Sequence, residues 1–216
     1  MTGLFSRIRR GRLGMLRRTV LEDNTVPIPF ARDVLERGEF EHDWFTVHIP
    51  VWDRLLQPLE QRAARVLELG SFEGLSACYL LWRLPDAHVT CVDTFNWFDI
   101  ADLEGRFDRN VALVDPTRVR RLTGRTSDVL PRLVDEQATF DFIYVDASHM
   151  ALDVLSDAAQ AWKLLAPEGL IVFDDYGLDY EDPMLSPTRA IDAFHTVVAS
   201  DAVRVDAGGQ YALRKS

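Results

Sequence analysis

Residues 65–74 read RVLELGSFEG, and residues 75–81 continue as LSACYLL. Val66, Leu67 and Leu69 are the apolar part of a buried-type strand, Gly70 and Gly74 bracket a turn, and Ser76 to Leu81 open a helical pattern. Glycine lets a backbone approach a ligand closely, and the N-terminus of a helix offers unpaired N–H groups. Working outward, the next strand, VTCVDTF, ends on Asp93. A glycine loop at one strand end with an acid at the next is how open α/β sheets hold nucleotide-like ligands. The same residues also fit a packing turn with Asp93 as its cap.

Strand and helix signals alternate from there. Strands are expected at 64–69, 88–93, 118–123, 139–146 and 169–174, and helices at 74–84, 100–112, 126–134, 149–165 and 187–199. Two helices are expected before the first strand, at 29–37, stopping at Gly38, and at 50–60, with Pro50 near its start. The fourth and fifth strands, FDFIYVD and GLIVFDD, are nearly all apolar until their acidic ends, as expected of strands covered on both faces. Pro167 and Gly169 are expected to break the helix at 149–165. Gly208-Gly209, between two short alternating runs, signals a hairpin. Five βα units and a hairpin predict an α/β fold, a doubly wound, mostly parallel sheet with an antiparallel C-terminal hairpin strand. The chain divides into a basic arm with its leading helix, residues 1–42, and a ligand-binding domain, residues 43–216.

Charge is uneven. The first 18 residues hold six arginines and no acid, which leaves 18 Lys+Arg against 34 Asp+Glu in the remainder. An acidic body is a poor match for nucleic acid, whose phosphates dominate affinity. The arm either packs and solvates itself or touches an anionic surface. No apolar run reaches the ~18 residues of a membrane span, and the N-terminus lacks the apolar stretch of a signal peptide, so the expected compartment is the cytoplasm. Cys78 and Cys91 lie in apolar segments and read as inert core thiols.

Acids recur at the strand ends. Glu68, near the end of the first strand, suits an ammonium group, and Asp93 suits two ribose hydroxyls because a carboxylate accepts more than once. Asp146 ends the fourth strand, and Asp174 and Asp175 end the fifth. Such acids cannot crowd together ionised without compensation, and a divalent cation such as Mg²⁺ supplies it. Successive residues of an extended strand point oppositely, so Asp174 and Asp175 both ligate only if the strand has already turned. His149, three residues after Asp146, is either a base for a substrate hydroxyl or a first-turn bystander. His42, His48, His88 and His195 are expected to be structural or surface residues. Trp44, Phe45, Trp97, Phe98 and Tyr176 are either stacking groups at the ligand mouth or core residues.

These residues resemble a class I S-adenosylmethionine-dependent methyltransferase. ELGSFEGLS is similar to the glycine motif of catechol O-methyltransferase-like enzymes, and VTCVDTF resembles their ribose-binding strand end. FDFIYVDASHMALDVLSDAAQAWKLLAPEGLIVFDDYG resembles the fourth and fifth strands of methyltransferase family 24. The resemblance runs from about Asp43 to Lys215. It implies a Rossmann-like, seven-stranded sheet and O-methylation of a small hydroxylated metabolite, with Mg²⁺ assistance consistent with the acids. By the same resemblance, Glu68, Gly70, Ser71, Phe72 and Gly74 hold the methionine part of the cofactor. Asp93 holds the ribose, with Thr94 beside it, and Arg125 and Thr126 meet the adenine. Asp146, Asp174 and Asp175 match metal positions, and Asp146 and His149 are the catalytic candidates. The catechol-type pattern has an amide where this chain has Asp175 and a lysine base where it has His149, which favours histidine-assisted deprotonation. Two other readings stand beside this one: a non-catalytic S-adenosylmethionine-binding scaffold, and an NAD-type Rossmann oxidoreductase, whose G-x-G-x-x-G is absent here. The partner is a small-molecule acceptor of unnamed identity. A homodimer is compatible with the sequence, which leaves the oligomeric state open.

Overall fold

The computed structural model describes residues 25–97, 100–178 and 182–216. The basic arm and Phe98 lie outside the described residues. Seven strands form one sheet: β1 Arg65–Leu69, β2 His88–Asp93, β3 Val119–Thr123, β4 Phe140–Val145, β5 Leu165–Phe173, β6 Ala202–Val205 and β7 Tyr211–Lys215. Their order is β3-β2-β1-β4-β5-β7-β6. The first five run parallel, while β7 lies antiparallel to β5 and β6 antiparallel to β7. This is the expected doubly wound sheet with its C-terminal hairpin. Strand order reverses between β1 and β4, and that reversal opens a crevice at the C-terminal edge.

Among the described residues, six helices of eight or more residues cover the sheet: α1 Ile49–Leu56, α2 Leu75–Arg83, α3 Leu103–Val111, α4 Thr126–Asp135, α5 Ala151–Leu164 and α6 Pro187–Val198. On one face, Trp52 of α1, Tyr79 and Leu80 of α2 and Phe107 of α3 pack on Val66, Cys91 and Phe142. On the other, Leu130, Ala158 and Phe194, from α4, α5 and α6, pack on Leu67, Ile143 and Ile171. The leading helical segment, Ile28–Phe30 followed by a wider turn at Ala31–Leu35, buries Phe30, Ala31 and Val34 in the first of these cores. Two details depart from the sequence reading. The helix expected over 50–60 ends at Leu56 and tightens to a 3₁₀ turn at Gln57–Leu59, where Pro58 has no N–H to give. β5 begins at Leu165, directly after α5. Pairing to β4 then jumps from Phe140↔Leu165 to Phe142↔Leu170, so Pro167 and Gly169 mark a bulge inside the strand, and the helix has already ended at Leu164. No described helix is long and apolar enough to cross a membrane.

The register sets the strand ends level. Leu69 pairs with Val92 on one side and Val145 on the other, and Val145 pairs with Phe173. Gly70, Asp93, Asp146 and Asp174 therefore emerge along one line. Gly70 has φ +89°, and a Cβ there would lie 2.0 Å from the carbonyl oxygen of Asp146. Just inside that line, Glu68 is fully buried on the α1–α3 face. Neither of its carboxyl oxygens meets a well-aligned hydrogen-bond donor. Burial pushes its pKa up to about 7, against a smaller downward pull from Ser71, Ser76 and Cys91.

Two stability measurements follow. Gly70→Ala is expected to cost at least ~2 kcal/mol, from the left-handed backbone and the backbone clash together, which is a fall in Tm of roughly 4–8 °C for a chain of this size. For Glu68, the folded pKa of about 7 lies above the ordinary 4.5, so the folded state holds the extra proton between those values. Stability then falls as pH rises through that window, by roughly 3 kcal/mol at full ionisation. Glu68→Gln lacks this loss, so its Tm advantage over wild type is expected to grow from pH 5 to pH 8; a pH-independent difference would assign the burial cost elsewhere.

Candidate active site

The loop after β1 is held by an acid at the end of β2. Asp93 Oδ2 accepts the backbone N–H groups of Ser71 and Phe72, each at 2.8 Å, and its Oδ1 accepts that of Phe95 at 2.7 Å. Phe72 is pinned at φ +46°, an unusual conformation for a residue with a side chain. Gly74, at φ +82°, starts α2, and a Cβ there would press on the Phe107 ring at 2.8 Å. Above the loop lies a small pocket open to solvent. Its walls include Gly70, Ser71, Phe72, Ser76, Tyr144 and Asp146, and His42, Trp44 and Phe45 close it from the segment before α1. The Ser71 hydroxyl is buried there and faces the Glu68 carboxyl beneath, without a well-aligned hydrogen bond.

The acids of β4 and β5 meet at the next stretch of the edge. One ligand atom each from Asp146, His149 and Asp175 falls within 4.8 Å of the others. His149 Nε2 lies 3.2 Å from Asp175 Oδ2. Asp146 Oδ2 accepts from the Tyr144 hydroxyl at 3.2 Å. Burial first, then the charges of Asp174 and Asp175, hold the Asp146 carboxyl well above the usual carboxylate range. Burial also raises Asp175 to about 6, although His149 pulls it down. Asp174 is turned elsewhere: its Oδ1 accepts from Gln210 Nε2 at 2.5 Å and lies 3.4 Å from His48 Nε2. Gln210 in turn accepts from the buried Trp52 indole at 2.7 Å.

The structure thus brings together Gly70, Ser71, Phe72, Ser76 and Asp146 at one pocket, and Asp146, His149 and Asp175 at one cluster. It does not bring together every residue the sequence singled out. Asp174 stands outside the three-residue cluster, although its charge still bears on Asp146, and His149 takes the third place. Glu68 lies beneath the loop, outside the pocket wall. Thr94 and Arg125 are exposed, and Thr126 turns its side chain to the buried Asp157 of α5. Tyr176 packs on Tyr211 at 4.4 Å and donates to Asp192 at 3.2 Å, with its ring set against the second core rather than the pocket. Two histidines expected to be structural or surface residues belong to this edge: His42 lines the pocket and His48 meets Asp174. No local pattern marks them, since their partners lie far along the chain.

Relatives agree with this geometry. The family model described as a methyltransferase domain matches residues 67–176, just over half of the chain. O-methyltransferase hkm8 of Aspergillus hancockii is 33% identical over 120 residues, covering 54% of this chain and 44% of that protein. The chain thus spans about half the length of the curated relatives it matches. Among solved structures, the O-methyltransferase TomG of Streptomyces achromogenes, in complex with SAM, is 25% identical with a TM-score of 0.60, over 77% of this chain and 79% of that one. MycE, a methyltransferase of the mycinamycin biosynthetic pathway solved with Mg and SAH, shares the fold at 20% identity and a TM-score of 0.61, over 87% of this chain and 52% of that one. A matched family domain, on the seven-stranded sheet and with the glycine loop in place, leads to one assignment: the chain belongs to the methyltransferase domain family, of the class I, S-adenosylmethionine-dependent type.

Proposed function

We propose that this chain is an S-adenosylmethionine-dependent O-methyltransferase acting on a small hydroxylated metabolite. The observation that carries the reading is the His149–Asp175 pair, 3.2 Å apart and beside Asp146 at the edge of the glycine-loop pocket. The residues of the pocket suit the cofactor. The helix N-terminus offers donors to a carboxylate, and Phe72 and Trp44 offer aromatic faces to a sulfonium. Asp93, which here fixes the loop amides, retains acceptor capacity toward ribose hydroxyls. Glu68 supports the loop from beneath. The two free, buried thiols suit a reducing compartment, so we place the activity in the cytoplasm.

S-adenosylmethionine supplies a methyl group already activated on a sulfonium. The protein's task is then alignment and proton removal. Alignment in a dry pocket can be worth ~7–11 kcal/mol. With Nε2–H turned to Asp175, the His149 lone pair sits on Nδ1, free to take the acceptor's hydroxyl proton as the oxygen attacks the methyl carbon. Asp175 holds the ring in that tautomer and stabilises the imidazolium. Asp146 presents its raised carboxyl to the pocket between cradle and base. Two carboxyls and an imidazole within 4.8 Å, with no cationic side chain placed among them by the contacts above, are also a donor set that fits a divalent cation. Asp146 and Asp175 would hold it, and a cation held there lowers the pKa of a hydroxyl.

His149→Ala is expected to cut methyl transfer ~10²–10⁴-fold in a screen of hydroxylated acceptors, while the affinity for S-adenosylhomocysteine measured by calorimetry stays at the wild-type level. Full turnover in that variant would remove the base from the mechanism. Asp93→Asn has the converse signature. Losing the charge that holds two loop amides is expected to weaken S-adenosylhomocysteine binding at least tenfold, and unchanged affinity would overturn the cradle assignment.

A further inference from the structure

The loop from Gly70 to Gly74 contains one charged residue, Glu73, and only 1% of it is exposed. Its Oε1 accepts from Arg106 Nη1 at 2.6 Å. Its Oε2 accepts the backbone N–H groups of Glu41 at 2.9 Å and His42 at 3.1 Å. Arg106 projects from α3, and its second terminal nitrogen meets the Glu41 carboxylate at 2.9 Å. One turn further along α3, the buried Asn110 accepts the Glu39 N–H at 2.6 Å and donates to the Glu73 carbonyl at 2.8 Å. Residues 39–42 are therefore tied, main chain first, to the glycine loop. The residues that follow reach over the pocket. Trp44 stacks on Phe72 of the same loop, with ring centres 5.2 Å apart and planes at 28°, while half of its surface stays exposed. Phe45 runs on into the core against Trp52 at 4.8 Å. Glu41, His42 and Glu73 also stand close enough to suggest a metal site, but Arg106 already pairs with both carboxylates, and the second oxygen of Glu73 is taken by backbone donors.

We propose that Glu73 is a positioning residue that latches residues 39–46 over the cradle, so that the roof of the cofactor pocket is fixed by a carboxylate of the cofactor loop itself. The inference rests on the cofactor reading above and adds a dependence to it. Trp44 contributes to the pocket only while Glu73 and Arg106 hold its segment in place. Cradle and roof then form as one unit, although they lie about thirty residues apart in sequence.

The test is a double-mutant cycle on the full chain, with S-adenosylhomocysteine affinity read by calorimetry and folding by thermal melt. Trp44→Ala is expected to weaken binding about tenfold, or ~1.4 kcal/mol, with Tm unchanged because the ring is half exposed. Glu73→Gln is expected to weaken it at least as much. In the double variant the loss is expected to equal that of Glu73→Gln alone, because an unlatched ring has nothing left to contribute. If Glu73→Gln does not yield folded protein, Arg106→Lys takes its place, keeping the charge but losing the fork that joins Glu73 to Glu41. Wild-type affinity in the latch variant, or losses that simply add, would overturn the latch. Failure of the wild-type chain to bind S-adenosylhomocysteine at all is a different result, and it would overturn the cofactor reading together with this inference.

Discussion

No side chain fits between Gly70 and the backbone of Asp146. A Cβ would sit 2.0 Å from that carbonyl oxygen, far inside any real contact, and the backbone there is already in the region that glycine tolerates best. This exclusion organises the edge of the sheet. Because β1 can turn so close to the end of β4, the Ser71 and Phe72 N–H groups swing toward β2 and find Asp93, each at 2.8 Å. The same approach leaves the Asp146 side chain in the pocket wall beside Gly70. One steric requirement at one residue thus fixes the cradle on one side of β1 and the acidic cluster on the other.

The edge collects negative charge, and its carboxyls are settled in different ways. Asp93 receives three backbone N–H groups. Asp174 receives Gln210 and faces His48. Asp175 faces His149. Asp146 has the Tyr144 hydroxyl at 3.2 Å and feels two neighbouring carboxyls. Burial and like charge both penalise its ionised form, so a positive charge arriving beside it gains more there than beside the better-settled acids. That asymmetry comes from the placement of the partners rather than from the number of acids.

The fold was largely legible because its signals are local. Apolar runs that end in acids mark β4 and β5, and a glycine pair marks the hairpin. Element ends shifted by one to three residues at several helices, such as Leu103–Val111 for 100–112, and the larger departures came at Pro58 and at the bulge around Gly169. The site was legible where the motif is contiguous, as in Gly70 to Gly74, or lies at a strand end, as in Asp93 and Asp146. It was not legible where contacts join distant residues. Nothing near His48 announces Asp174, and nothing in GSFEG shows that Glu73 faces Arg106 rather than a ligand. Glu68 illustrates a different limit. Alternation places it on a face of the sheet, but whether that face is pocket or core depends on how closely the loop above it packs.

The exclusion of Asp174 from the cluster argues that this edge is divided between support and chemistry. Asp174 ends a buried chain that runs from the Trp52 indole through Gln210, linking α1, the hairpin loop and β5. A carboxylate bound that way keeps its orientation whatever occupies the pocket, and moving it would strand the buried Gln210 amide without its acceptor. Asp175, one residue later, meets His149 instead. The two consecutive acids therefore differ in their partners, Gln210 and His48 for one and His149 for the other. Substituting an amide for Asp174 would leave Gln210 facing a neutral group, whereas the same change at Asp175 would strip the imidazole of the charge that sets its tautomer.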